Sequence, residues 1–148
     1  MPHMNIKDPT KTTIGWYSKS AEEYKRLRSD LTRDEDNRKY FIEHVQGKKI
    51  LDVWCAHGRD VGEFYRKWMI VTWIDLTPEF IAMAKRDYPK TDLYVMDMRD
   101  LDFGNESFDG IRSCASLLHL PKNDIHKTLK WFHRIQIFFI SKIRRTGK

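Results

Sequence analysis

At 148 residues, with 41% hydrophobic residues and five Trp, the chain has the length of one domain and is too apolar for a disordered segment. No apolar run approaches the roughly 20 residues needed to span a bilayer, and Met1 to Thr13 lacks the apolar stretch of a signal peptide. The net charge of +6 admits nucleic-acid or acidic partners, but much of the excess lies in Lys142, Arg144, Arg145 and Lys148, where a solvated tail is the simpler reading. Only Cys55 and Cys114 occur as cysteines, in surroundings that read as buried strand ends, so a reduced, cytoplasmic setting is expected.

In chain order, Ser20-Ala21-Glu22-Glu23 fits a capping box, and Tyr24, Leu27 and Leu31 follow at helical spacing. A charged stretch from Arg33 to Asn37 leads to a second helix with Arg38, Phe41, Ile42 and Val45 on one face and Gly47 as its stop. Lys49 to Val53 is a short apolar run, suited to a buried parallel strand. A loop from Trp54 to Gly58 precedes a helix with Val61, Phe64, Tyr65 and Trp68 on its apolar face. Met69 to Ile74 is a second strand ending in Asp75, and Thr77-Pro78 opens a helix carrying Phe80, Ile81, Ala84 and Tyr88. Leu93 to Met96 is a third strand ending in Asp97, and Phe103 to Glu106 is a turn. Phe108 to Cys114 is a fourth strand, a helix capped by Asn123-Asp124 carries Ile125, Leu129 and Phe132, and Ile137 to Ile140 is a fifth strand.

Strands that alternate with helices imply a parallel sheet with right-handed crossovers. Ligands of such sheets sit beyond the carboxyl ends of the strands, so the residues just after each strand are the candidates. After the first strand comes Asp52-Val53-Trp54-Cys55-Ala56-His57-Gly58, a loop at a helix N-terminus in which only Gly58 is glycine. After the second comes Asp75, roughly 20 residues past the first turn, where nucleotide-binding sheets hold ribose hydroxyls. Its simpler reading is a surface Asp favoured by a helix dipole. After the third come Asp97 and Met98, a carboxylate for an exocyclic amine and a thioether for a purine face, or simply part of a charged loop.

Taken together, these segments resemble class I S-adenosylmethionine-dependent methyltransferases. Leu51-Asp52-Val53 through Gly58-Arg59-Asp60 resembles the first motif of that family, Ile74 to Glu79 its second segment, Asp97 to Leu101 its third, and Phe108 to Ile111 with His119-Leu120-Pro121 its fourth-strand segment. The match runs in register from about Tyr17 to Arg134. The resemblance implies a three-layer, Rossmann-like α/β fold of about five parallel strands in the order 3-2-1-4-5, with helices on both faces and without the last two strands of the family. It implies one domain over 1-148, with a helical cap over 1-47, a nucleotide-binding core over 48-141 and a basic tail over 142-148. It implies S-adenosyl-L-methionine as cofactor. Asp52, Trp54, Cys55, Ala56, His57 and Gly58 would hold its methionine part, Asp75 with Leu76 its ribose, and Asp97 with Met98 its adenine, while Tyr17 and Tyr24 cover it.

The chain departs from the family at its glycines. Trp stands at 54, 68 and 73 and Ala at 56, where the family usually has glycine. A gene that uses UGA for glycine, translated with UGA as Trp, would produce the three Trp, and UGG codons there would exclude it. The competing reading is a protein that has lost its cofactor site, and Trp68 favours it by fitting the apolar face of its helix. The Lys-Pro-Gly-Gly turn usual before the fifth strand is also missing, so the chain reads as truncated or frame-shifted near residue 136.

The expected reaction is in-line displacement at the sulfonium methyl, in which the protein mainly positions the reactants. His119 is the candidate base, although a packing role before Pro121 is the simpler reading. No metal-ligand spacing is visible. A small-molecule acceptor is favoured because no recognition domain or aromatic–basic interleaving is present. RNA methylation, resting on charge alone, and an inactive methyltransferase-fold remnant are the alternatives, and no membrane partner is expected.

Overall fold

The computed structural model describes residues 8–32 and 34–142. Five parallel strands form one sheet: β1 (Lys49–Val53), β2 (Ile70–Asp75), β3 (Asp92–Val95), β4 (Phe108–Cys114) and β5 (Gln136–Lys142), in the order β3-β2-β1-β4-β5. The expected Rossmann-like order is therefore the observed one. The register sets Val53 beside Ile74 and Ser113, and Asp75 beside Val95, so the carboxyl ends of β1 to β4 lie along one edge.

Alternation along β1 divides the core in two. Leu51 and Val53 join Ile74, Ile111, Phe132 and Ile135 on the face covered by α5 (Lys122–Ile135). Ile50 points the other way, into a cluster with Phe41 of α2 (Glu35–His44), Phe64 of α3 (Val61–Arg66), Ile81 of α4 (Pro78–Asp87) and Trp73. Burial on both faces is what a central parallel strand requires, and it explains why β1 reads as an unbroken apolar run. Gly110 admits α2 to β4, since a Cβ there would lie 2.7 Å from Val45 Cγ2.

The first helix departs from expectation. α1 runs Pro9–Arg28, capped by Asp8, whose side chain accepts from the Thr10 N–H, with Pro at its first turn. Ser20 to Glu23 lie inside it, so the capping box is not a helix start, and Leu27 and Leu31 are exposed. Helix propensity continued through those residues because α1 packs Ala21, Tyr17 and Tyr24 against Phe80 and Met83 of α4.

Two further expectations are corrected. α3 ends at Arg66, and Trp68 is 81% exposed on a left-handed backbone rather than on the buried helix face. Pro121, not Asn123 or Asp124, stands at the cap position of α5, whereas Thr77 does stand at that of α4, with Pro in the first turn but without a side-chain cap bond. Of the expected basic tail, everything beyond Lys142 lies outside the described residues.

Candidate active site

The loop after β1 is held to β2 by its own backbone. The N–H groups of Trp54 and Cys55 both donate to the Ile74 carbonyl, at 2.8 and 3.1 Å. The Ala56 N–H donates to Asp75 Oδ2 at 2.9 Å, and the Thr77 N–H to Asp75 Oδ1 at 2.8 Å. Asp75 is thus only 1% exposed, and burial pushes its pKa up to about 6 in spite of those backbone donors. The loop bends sharply, with φ of 67° at Trp54, 51° at Ala56 and 81° at Gly58.

Two spaces meet at this loop. The first is a cavity of about 280 Å³, where Asp52, Trp54, Cys55, Ala56 and His57 face Tyr17 and Tyr24 of α1 and His119 of the 3-10 turn Leu117–His119. The second is a groove between the ends of β1, β2 and β3, lined by Trp54, Asp75, Leu76, Asp97 and Met98, with Thr10 of α1 over it. The groove is too narrow to admit a water molecule. Gly58 lines neither space; its φ of 81° turns the loop into α3, where a Cβ would lie 3.1 Å from that of Ala84. The expected site residues therefore cluster at one edge of the sheet, but apart from Gly58 they divide into two groups, and among the described residues Trp54 alone lines both spaces.

The Trp54 ring lies parallel to that of His119, with centroids 4.7 Å apart and planes at 9°, and meets Tyr17 edge-on at 6.1 Å. Burial lowers the His119 pKa. His57 is 4% exposed, touches the rings of Tyr24 and Phe80, and has no partner for either ring nitrogen. Burial, with the charges of Lys25 and Arg59, brings its pKa down to about 4. At neutral pH His57 is an uncharged packing residue.

Beneath the cavity lies a buried ion network that the sequence reading missed. Arg112 of β4 contacts Asp52 Oδ2 at 3.1 Å and Asp60 Oδ2 at 3.0 Å, the second as an ion pair without hydrogen-bond alignment. Asp60 also accepts from Arg38 at 2.8 Å. Burial raises Asp52 to about 7 against the pull of Arg112. Burial also acts to raise Asp60, but Arg112, Arg59 and Arg38 outweigh it and hold that carboxyl low. The one available signal was an arginine inside the apolar fourth strand, which needs a buried acid beside it. Asp97 is likewise engaged, accepting from Arg99 Nη2 at 2.7 Å, while Arg99 also reaches Asp8 and Asp124.

Among the described residues no His, Cys, Asp and Glu cluster could hold a metal ion. The cavity instead presents acids (Asp34, Asp52, Asp60) and arginines (Arg28, Arg59, Arg112) around an open centre, which suits a zwitterionic amino-acid group.

Residues 50–136 match the model of the methyltransferase domain family, and the chain belongs to that family. S-adenosylmethionine is the family's cofactor. The chain is similar to the O-methyltransferase cnsE of Penicillium expansum, 29% identical over 113 residues that span 71% of this chain and 40% of that protein. Among solved structures it is similar to the [4+2]-cyclase SpnF, with a TM-score of 0.70 at 16% identity over 86% of this chain and 56% of that one. It is also similar to phosphoethanolamine N-methyltransferase 1 of Haemonchus contortus, solved with phosphoethanolamine and S-adenosylhomocysteine, with a TM-score of 0.67 at 17% identity over 86% of this chain and 29% of that one. The two structures share the fold, and the chain spans less than two thirds of the length of all three proteins.

The residues fit the cofactor only in part. The cavity fits its amino-acid end. The adenosyl end does not fit, because the groove where Asp75 and Asp97 would meet it, walled by Trp54 and by Thr10 of α1, is too narrow to admit even a water molecule.

Proposed function

We propose that the chain carries the cofactor-binding half of an S-adenosylmethionine-dependent methyltransferase whose acceptor is a small molecule. One observation carries this: three carboxylates, Asp52, Asp75 and Asp97, stand at the carboxyl-end edge of adjacent parallel strands around one loop. Asp52 and the loop through His57 serve the amino-acid end, Asp75 and Leu76 the ribose, and Asp97 and Met98 the adenine. The described part of the N-terminal segment precedes a core of residues 48–141, with α1 covering its edge and Tyr17 and Tyr24 closing the cavity. His119 faces the cavity as a base for the acceptor. The small-molecule acceptor is supported by likeness to a named O-methyltransferase and to an enzyme solved with phosphoethanolamine. The inactive-remnant reading has its own support in Trp54, which walls the narrow adenosyl groove of the chain as it stands.

The test is a melting-temperature titration with S-adenosylhomocysteine on the chain carrying W54G, which clears the groove. A ligand that binds only the folded state raises its stability with concentration, by about 2.7 kcal/mol at a hundred times Kd. A dose-dependent rise that D75A abolishes is expected. A cooperative melt with no rise at any concentration would refute the cofactor assignment.

A further inference from the structure

We infer that Trp54 is an intramolecular plug of the cofactor site, standing on a backbone shaped for glycine, and that the glycine form of this loop is the form that binds. This rests on the cofactor reading above and sharpens it to one side chain.

The backbone supplies the first observation. At φ 67° residue 54 lies in the left-handed region, where a Cβ crowds the following carbonyl and glycine is the usual occupant. The loop cannot turn the indole away by shifting, because the N–H groups of residues 54 and 55 both bond the Ile74 carbonyl and the next, at 56, bonds Asp75. Trp68 shares the left-handed geometry, at φ 58°, but carries its ring in solvent. A left-handed Trp is therefore tolerated at a site of no consequence for the pocket. Trp73 is different: it is a buried strand residue outside the left-handed set.

Position supplies the second observation. Of the described residues lining the open cavity and the closed groove, only Trp54 is common to both. Its indole is the partition. Removing it joins the amino-acid end, where the charges are, to the groove that holds Asp75 and Asp97, and makes one continuous space. The partition is also a flat aromatic ring stacked on His119, so it covers one face of the imidazole. One side chain therefore blocks the cofactor and covers the candidate base. No other departure from the family's glycines does this, since Ala56 adds only a methyl group at its own left-handed turn.

The experiment is calorimetric titration of S-adenosylhomocysteine into the 148-residue chain and its W54G, W54A and W68G variants, with the melting temperature of each measured in parallel. W54G is expected to bind at least about tenfold more tightly than the parent, a difference of 1.4 kcal/mol. W54A should follow in the same direction with a smaller gain. W68G is expected to melt higher than the parent without any gain in binding, which separates relief of backbone strain from opening of the site. Equal affinity in the parent and W54G would overturn the plug and leave the cofactor reading intact. Absence of binding in all four, each melting cooperatively, would overturn both. Failure of W54G to fold where the parent folds would refute the glycine-shaped backbone.

Discussion

At the scale of single residues, the left-handed positions define what substitutions do. A non-glycine residue there costs roughly 1–2 kcal/mol, and the entropy glycine loses on folding returns roughly 0.5–1 kcal/mol of that. Because the Trp68 ring is in solvent, W68G should stabilise the fold by up to about 1 kcal/mol, or a few degrees in melting temperature. His57 decides a different observable. Its folded pKa of about 4 lies below the ordinary value of 6.5, so the unfolded chain takes up the proton first. Its share of stability is complete above pH 6.5 and is lost as the pH falls toward 4, by at most ~3 kcal/mol. Asp52 and Asp75, raised to about 7 and 6, act in the opposite sense over the same range. The melting temperature of H57F should therefore rise relative to that of the parent as the pH falls from 6.5 to 4, and a constant difference between the two across that range would show that the imidazole protonates in place.

Among the elements, β4 carries the greatest electrostatic burden. Arg112 is buried between two acids, and breaking such a set by removing one partner costs about 3–5 kcal/mol because charges are left uncompensated. R112A should lower the unfolding free energy, read by denaturant titration, by that amount, and R112M combined with D52N, which leaves Asp60 to Arg38 and Arg59, should recover much of it; a loss below about 1 kcal/mol in R112A would mean that the acids are solvated. This network was hard to read from sequence because its members, Arg38, Asp52, Asp60 and Arg112, obey no period. The central strands were legible for the opposite reason: β1 and β2 are short apolar runs closed by a turn or an acid, and burial on both faces leaves no room for another pattern. The start of α1 was available in Asp8-Pro9, a cap followed by proline, but Ser20 to Glu23 offered the stronger local signal at a place where tertiary packing overrules it. For the site, the edge and most of its residues followed from strand ends alone. What did not follow was the division into an open and a closed space, because that depends on where one indole points.

For the whole molecule, two kinds of force hold two regions. The sheet and its helices are joined by apolar contact across both faces. The cover, α1, rests on an apolar patch of α4 but is tied down at its periphery by charge and polar contact, through Lys25 to Asp87, Ser18 to Glu79 and Asp8 to Arg99. These ties are part-exposed, and each contributes on the order of 0.2–1 kcal/mol. K25A or D87A should accordingly speed amide exchange in α1 while leaving β1 and β4 protected; uniform acceleration across the sheet would mean that the cover and core open together.

Because exposed ion pairs are screened within about 8 Å at physiological ionic strength, the cover answers to added electrolyte and the sheet does not. Raising sodium chloride therefore loosens α1 before it touches the two apolar layers of the sheet beneath. For a ligand held under α1, entry and escape are both expected to quicken as salt rises while the folded fraction stays nearly constant. The tether of Lys25 to Asp87 would then set residence time more than stability.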